Sequence, residues 1–312
     1  MPKHRTDWFR DARWGVFFHY LAVPTGSELT TIVSSEAWNR RVDRFQTGVV
    51  AAQLERVGAR YLIFTIGQTS GHYASPNATY DDIVGLKPSK CAQRDLVMDL
   101  YDALRPRGIR LMVYLPSFAP RHDSTALERL GASGGVVNGE RVGGRFAEFQ
   151  RNWEAIIREW SLRWGDKISG WWIDGAYFPD EMYRHPEPPN FESFADAMRS
   201  GNPDSIVAFN PGVRVPVISL TEHEDYTAGE LNTTFPTDVT SRWVGQAQYH
   251  TLSYLGQTWG EGAPRFPTEF ITGYTQIVNR CDGVVSWDVP IEYNGRIPAI
   301  FVDQLKALPS LT

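Results

Sequence analysis

Cysteine is nearly absent. Only Cys91 and Cys281 occur in 312 residues, too few for a disulfide framework or a four-ligand zinc cluster. Histidine is sparse as well. The seven histidines include no HxH or HExxH arrangement, so the usual signature of a zinc hydrolase is missing. No strand-like run is followed by a GxGxxG or a P-loop motif, and no strand-to-helix turn carries a GxSxG elbow. These gaps argue against dinucleotide, nucleotide and serine-nucleophile chemistry. The chain has no basic run, and its formal net charge is −5, which disfavours nucleic acid and anionic membrane as partners. The opening "MPKHRTDWFRDARWG" has no apolar signal core, and no stretch is long and apolar enough to span a bilayer. The expectation is therefore a cytoplasmic protein that needs no metal or cofactor.

Aromatic residues, by contrast, are abundant: 13% of the chain, with eleven tryptophans. A large aromatic core accounts for them most simply. Sugar-binding sites use the same residues as platforms for the apolar face of a pyranose. Along the chain, apolar runs alternate with amphipathic helical segments. The runs are "GVFFHY" (15–20), "YLIFTIG" (61–67), "RLMVYLP" (110–116), "GWWIDG" (170–175), "SIVAFN" (205–210), "VISL" (217–220), "TLSYLGQTW" (251–259) and "GVVSWDV" (283–289). Helices are expected near 48–58, 94–106, 146–164, 190–200, 267–280 and 297–308. Eight strands with helices between most of them predict an α/β fold: a single (β/α)8 TIM-type barrel over residues 1–312. The glycine-rich stretch "LGASGGVVNGERVGG" (130–144) reads as a surface hairpin or as a lid over a pocket.

One stretch poses a functional question. "ISGWWIDGAYFPD" is an apolar run that ends on a carboxylate, Asp174. That aspartate either caps a turn or stands at the mouth of a pocket. In a barrel of this type the C-terminal strand ends surround the active site. The ends here offer His19, then Gln68, Thr69 and His72, then Tyr114, Asp174 and Asn210. After them come the cluster "TEHEDYTAGE", with Glu222, Glu224 and Glu230, and Trp259 at the end of the seventh run. Two carboxylates at one mouth, Asp174 and one of the 222–230 cluster, are what glycoside hydrolysis needs. One attacks the anomeric carbon or activates water, and the other, kept protonated, serves the leaving oxygen.

Six segments in order resemble the retaining α-L-fucosidases of glycoside hydrolase family 29. "WFRDARWGVFFHYLAVP" is similar to that family's first strand, which ends in a sugar-contacting histidine, here His19. "ERVGARYLIFT" and "RDLVMDLYDALRPRGIRLMVYLPS" resemble its second and third helix-strand units. "WWIDG" resembles the strand that carries the nucleophile, which places that role on Asp174. "DYTAGE" resembles the segment whose last glutamate is the acid/base in some members, here Glu230. "VNRCDGVVSWDVPIEYNGRIP" resembles the closing strand and the start of the last helix. The resemblance also implies that the loop "SSEAWNRR", with Glu36, contributes to the pocket.

The departures from that family matter as much. Its second strand usually ends in a Lys-His-His-Asp-Gly-Phe-like run, whereas this chain reads "GQTSGHY". Gln68 and Thr69 replace the histidine pair, Ser70 replaces the aspartate and His72 takes the aromatic position. An amide and a hydroxyl offer different donor geometry from imidazole. The sugar is therefore expected to differ from fucose, with an L-galactose-like sugar as one example. A C-terminal β-sandwich is not expected. The resemblance thus implies an exo-glycosidase with Asp174 as nucleophile and Glu230 as acid/base. His19, Gln68, Thr69, His72, Tyr114, Trp259 and Glu36 would be its sugar contacts, and Glu222, Glu224 or Glu36 the alternative acids. The other reading keeps the fold and removes the chemistry: a catalytically silent sugar-binding barrel.

Overall fold

The computed structural model describes residues 4–23, 33–134, 136–137, 140–141 and 144–309. In chain order its elements are α1 (Asp7–Ala12), β1 (Trp14–Phe18), α2 (Ser35–Asp43), α3 (Thr47–Val57), β2 (Tyr61–Thr65), α4 (Ala78–Val84), α5 (Leu96–Leu104), β3 (Arg110–Pro116) and α6 (Ser124–Arg129). The β4–β5 hairpin (Val136–Val137, Glu140–Arg141), α7 (Ala147–Trp164), β6 (Ile168–Asp174), α8 (Pro179–Met182), α9 (Phe191–Arg199) and β7 (Ile206–Phe209) follow. The β8–β9 hairpin (Trp243–Val244, Ala247–Gln248), β10 (His250–Tyr254), α10 (Thr268–Asn279), β11 (Val284–Asp288) and α11 (Ala299–Lys306) complete the chain. The helix starts are legible in local chemistry. Asn77, Asp95 and Asp123 each accept a hydrogen bond from a first-turn N–H, and Asn190 with Ser193 forms a reciprocal capping box.

Seven strands form one parallel sheet in the order β10-β11-β1-β2-β3-β6-β7. Because side chains alternate along a strand, every strand serves two cores. Val16, Leu62, Phe64, Val113, Trp171, Ile173 and Val207 face the helices, in the larger cluster with Trp153, Trp160 and Trp164 of α7. Their neighbours Phe17, Tyr61, Ile63, Met112, Tyr114, Trp172, Ile206, Leu252 and Val284 meet in a second cluster. That all seven strands contribute to the second cluster shows the sheet curling around it. Phe9 of α1 joins this inner cluster, packing on Tyr61, Tyr226 and His250 at 5.0, 4.9 and 5.3 Å. The paired tryptophans of "WWID" are therefore both core. Trp171 points outward and packs on Trp164, while Trp172 points inward, stacks on Tyr114 at 5.5 Å and donates to the Ala228 carbonyl.

One expected strand is absent. "VISL" (217–220) has no ladder bonds, and the buried Glu224 carboxylate accepts the Leu220 N–H at 2.6 Å and the Phe209 N–H at 3.2 Å. The position beside β7 goes to the more polar segment 225–231. Asp225 N–H donates to the Val207 carbonyl, and isolated parallel bridges join Tyr226 to Gln248 and Glu230 to Leu252. Regular pairing is interrupted because the Thr227 hydroxyl accepts from the His250 N–H and donates to the His250 carbonyl. The glycine-rich stretch 130–144 holds the antiparallel β4–β5 pair. Residues 135, 138, 139, 142 and 143 lie outside the described residues, and the lid reading falls largely there.

Gly229 is the tightest point of segment 225–231. Its φ is +60°, and a β-carbon there would lie 1.9 Å from the His250 carbonyl oxygen. Gly229→Ala should therefore destabilise the protein by about 3 kcal/mol or more, since both backbone strain and a backbone clash oppose it. Gly48 in α3 has ordinary φ and open space around it. Gly48→Ala should be neutral or stabilising by about 0.5–1 kcal/mol. Urea unfolding of both variants checks this, and equal effects would contradict the assigned backbone.

Candidate active site

The inward parity that builds the inner core continues past the ends of the strands. Tyr114 and Asp174 follow Met112 and Trp172 by two residues, His19 follows Phe17, and Asn210 follows Ala208. Polar side chains therefore collect where the apolar inner cluster stops, at the C-terminal end of the sheet. Asp174 accepts hydrogen bonds from the Tyr114 hydroxyl at 2.6 Å, the Asn210 amide at 2.8 Å and the Tyr177 hydroxyl at 3.4 Å. The Tyr114 oxygen accepts in turn from the Gln68 amide at 2.9 Å. Burial and the Asp174 charge push the Tyr114 hydroxyl well above its ordinary pKa, so it remains a donor.

Asn210 joins the two carboxylates. Its amide nitrogen donates to Asp174 Oδ1 at 2.8 Å and to Glu230 Oε2 at 2.6 Å. Laid end to end these bonds span about 5.4 Å, the ceiling on the separation of those two oxygens. The orientation of the amide follows from its other end, where Oδ1 accepts the Gly212 N–H at 3.0 Å. Burial first, and the Asp174 charge second, raise Glu230 to about 7, against the opposing hydrogen bond from Asn210. Glu230, in reach of the same donor as Asp174, thus holds a proton near neutral pH.

A second cluster lies across the sheet. His19 Nδ1 meets Asp288 Oδ1 at 2.8 Å, and Asp288 Oδ2 accepts the Gly260 N–H at 2.6 Å. A carboxylate only accepts, so Nδ1 carries the proton and Nε2 is the ring nitrogen left for a ligand. The His19 ring lies 5.8 Å from Tyr114 and 5.6 Å from Trp259, whose own ring packs on Tyr254 at 4.6 Å. Gly260, with φ +72°, passes so close that a β-carbon would meet His19 Cβ at 2.8 Å.

The candidate residues therefore divide. Asp174, Glu230, Tyr114 and Gln68 form one hydrogen-bonded group with Asn210, and His19 and Trp259 border it. Trp259 does not end a strand, because β10 stops at Tyr254 and Trp259 belongs to the loop beyond. Gln68 donates one amide N–H to Tyr114, leaving its second N–H and its carbonyl oxygen for a ligand. Thr69 offers its carbonyl to the His122 N–H. His72 is buried 6.2 Å from the Trp38 ring, and desolvation with the nearby Lys90 charge lowers it to about 4. Glu36 is exposed in the first turn of α2, and Glu222 is exposed beside His223. Glu224 is raised to about 8 by burial, but its oxygens hold the backbone of Leu220 and Phe209. Asp288 and Tyr177 were not singled out from the sequence. Asp288 carries the same signal as Asp174, a carboxylate that ends a buried run. Among the described residues, no three His, Cys, Asp or Glu side chains cluster as a metal site.

No protein-family model matches the chain, and no curated protein matches it. Solved structures do. The endo-fucoidan hydrolase MfFcnA4 of glycoside hydrolase family 107 superposes with a TM-score of 0.73 at 19% identity, over 97% of this chain and 53% of the other. The endo-fucoidan hydrolase P5AFcnA of the same family gives 0.70 at 14% identity, over 97% and 92%. The α-L-fucosidase AlfC from Lactobacillus casei, in complex with α-L-fucose product, gives 0.65 at 16% identity, over 98% and 97%. The chain thus spans about half the length of MfFcnA4. Identities this low establish a shared fold.

The raised Glu230 has a thermodynamic consequence. An acid with a higher pKa in the folded chain than in the unfolded one binds its proton more tightly when folded. Its contribution to stability falls as pH rises from about 4.5 through about 7. Glu230→Gln removes that loss. The variant should gain about 1–3 kcal/mol over wild type at pH 8, and the gain should vanish below pH 4.5. Urea unfolding across this range checks it, and a pH-independent difference would remove the assigned shift.

Proposed function

We propose that the chain is a retaining glycoside hydrolase related to the α-L-fucosidases, with residues 1–312 forming one catalytic domain. Segment 225–231 then serves as the eighth strand of a (β/α)8 barrel. The observation that carries this reading is the Asn210 amide bonded at once to Asp174 and to a glutamate with raised pKa. A ceiling of about 5.4 Å between Asp174 Oδ1 and Glu230 Oε2 supports the short separation of retaining enzymes, ~5–5.5 Å. The fold is shared with structures named as endo-fucoidan hydrolases and an α-L-fucosidase, which makes a fucose-type sugar the reference substrate.

In this mechanism an Asp174 oxygen attacks the anomeric carbon as the glycosidic C–O bond breaks. Glu230 gives its proton to the leaving oxygen. In the second step the Glu230 carboxylate takes a proton from water, the water oxygen attacks the same carbon, and the ester to Asp174 breaks. The Tyr114 and Asn210 hydrogen bonds hold the Asp174 carboxylate in place before attack. Gln68 donates to the Tyr114 hydroxyl oxygen, and the His19 ring is positioned by Asp288 to hydrogen-bond a sugar hydroxyl through Nε2.

Activity on a panel of aryl glycosides tests the reading. Asp174→Ala should abolish turnover with the fold kept, and added azide should restore part of it as glycosyl azide. Glu230→Ala should slow poor leaving groups far more than good ones, since only the former need the proton. A wild type that binds sugars and hydrolyses none would favour the silent sugar-binding barrel.

Specificity supplies a further prediction. Where the resembled family carries a histidine pair, this chain carries Gln68 and Thr69, whose amide and hydroxyl present other donor positions than two imidazoles, and one Gln68 N–H is held by Tyr114. The hydroxyls that imidazoles would hold are then unmatched. Turnover of an aryl α-L-fucoside should be weak, with better kcat/KM on a sugar of similar configuration such as an α-L-galactoside. A preference for the fucoside of a hundredfold, about 2.7 kcal/mol, would overturn this account of Gln68 and Thr69.

A further inference from the structure

A cavity of about 330 Å³ opens beside the site, with His19 and Trp259 in its wall. Its other sides come from Tyr20 and Leu21 after β1 and from the loops after β10 and β11, with Glu261, Glu292 and Tyr293. Neither Asp174 nor Glu230 lines it. We propose that this cavity binds the leaving-group residue of the substrate, and that it takes an uncharged sugar ring and rejects an anionic one. The proposal rests on the glycoside hydrolase reading above.

Position is the first ground. In hydrogen-bonding order β11 lies four strands from β6, by way of β3, β2 and β1. The curl of the sheet around its inner cluster thus places the cavity across from Asp174. In a displacement at the anomeric carbon the leaving oxygen departs opposite the attacking one. The same side is bordered by β10, to which Glu230 is bridged through Leu252, so the proton donor flanks the exit.

Lining chemistry is the second ground. Trp259 and Tyr293 are aromatic surfaces of the kind that pack on the apolar face of a pyranose. The Tyr293 ring is two-thirds exposed and is backed by the Arg41 guanidinium at 4.3 Å. Its carbonyl accepts from the Tyr20 hydroxyl, so the platform is held from behind. Glu261 and Glu292 are both exposed carboxylates, able to accept hydrogen bonds from sugar hydroxyls and to repel a carboxylate or sulfate. Arg41, the cation behind the Tyr293 ring, donates through Nη1 to the Leu21 and Ala22 carbonyls, so two carboxylates line a wall that one cation backs. The volume lies at the lower end of the ~300–1,000 Å³ of ligand sites, enough for one ring.

The test compares three substrates that share one glycosyl group. Their leaving groups are p-nitrophenol, a neutral hexose and the corresponding hexuronic acid. Wild type should favour the hexose over the hexuronate by about tenfold or more in kcat/KM. Glu261→Lys with Glu292→Lys should invert that ratio, with p-nitrophenyl turnover still measurable as the check that the carboxylate pair is intact. An unchanged ratio in a variant that still turns over the aryl glycoside would overturn the subsite. Saturation-transfer NMR with the methyl hexoside and methyl hexuronide reads the cavity without catalysis. A hexoside signal that the double variant loses supports the subsite, and equal signals from both ligands in both proteins overturn it. Loss of all turnover in wild type, with the NMR difference intact, would overturn the hydrolase reading alone.

Discussion

The parallel register of seven strands is the constraint on which the rest of the molecule depends. Pro116 pairs with Asp174, Phe17 with Asp288, and Ile173 with Phe209. Once these ladders form, alternation sends Phe17, Tyr114, Trp172 and Ala208 to one side. It also sends the polar residues just beyond them to the same side. A shift of one residue in β6 would turn Asp174 toward the helices and Trp171 into the inner core. The Trp172–Tyr114 stack, with Phe17 edge-on against both rings, opposes that shift, since slippage would uncover two large rings. The same packing that stabilises the sheet therefore aims its polar ends.

At those ends, burial and charge produce an asymmetry from similar groups. Asp174 receives three donors, two of them hydroxyls. Glu230 shares the single Asn210 amide, and burial opposes its charge. In a low-dielectric site one charge raises the cost of the next. The difference between the two carboxylates thus lies in the count and placement of donors around them. Glu224 shows the contrast. It too is raised by burial, yet its oxygens are tied to backbone N–H groups, which makes it part of the scaffold.

Asp288 links the core to the rim of the site. It is fully buried at the end of β11, with one oxygen on His19 and the other on the Gly260 N–H. A single carboxylate thereby sets the tautomer of a histidine and the path of the loop that carries Trp259. The wall between the carboxylate pair and the neighbouring cavity is built from that pairing. Its rigidity comes from a strand end, although Trp259 itself lies on a loop.

Much of this was legible in the sequence alone. Buried strands declare themselves by short apolar runs, and the expected helices all formed near their positions because apolar spacing and caps agree. Asp174 was legible because a carboxylate that ends a buried run is costly unless neighbours hold it. The strand read at "VISL" failed for a physical reason: apolar composition measures preference for burial, not backbone pairing. The backbone of Leu220 bonds the Glu224 side chain, while the polar "DYTAGE" segment reaches both β7 and β10. Gln68 and His72 were likewise beyond sequence. Past the last residue of a strand the period of two no longer constrains direction, and a loop decides whether a side chain meets a tyrosine, a tryptophan or a ligand. Composition and period determined that a parallel α/β sheet exists and that Asp174 ends one of its strands. Only tertiary structure decided that one asparagine nitrogen lies between Asp174 and Glu230, because that contact joins three chain segments whose separation in sequence carries no trace of their distance in space.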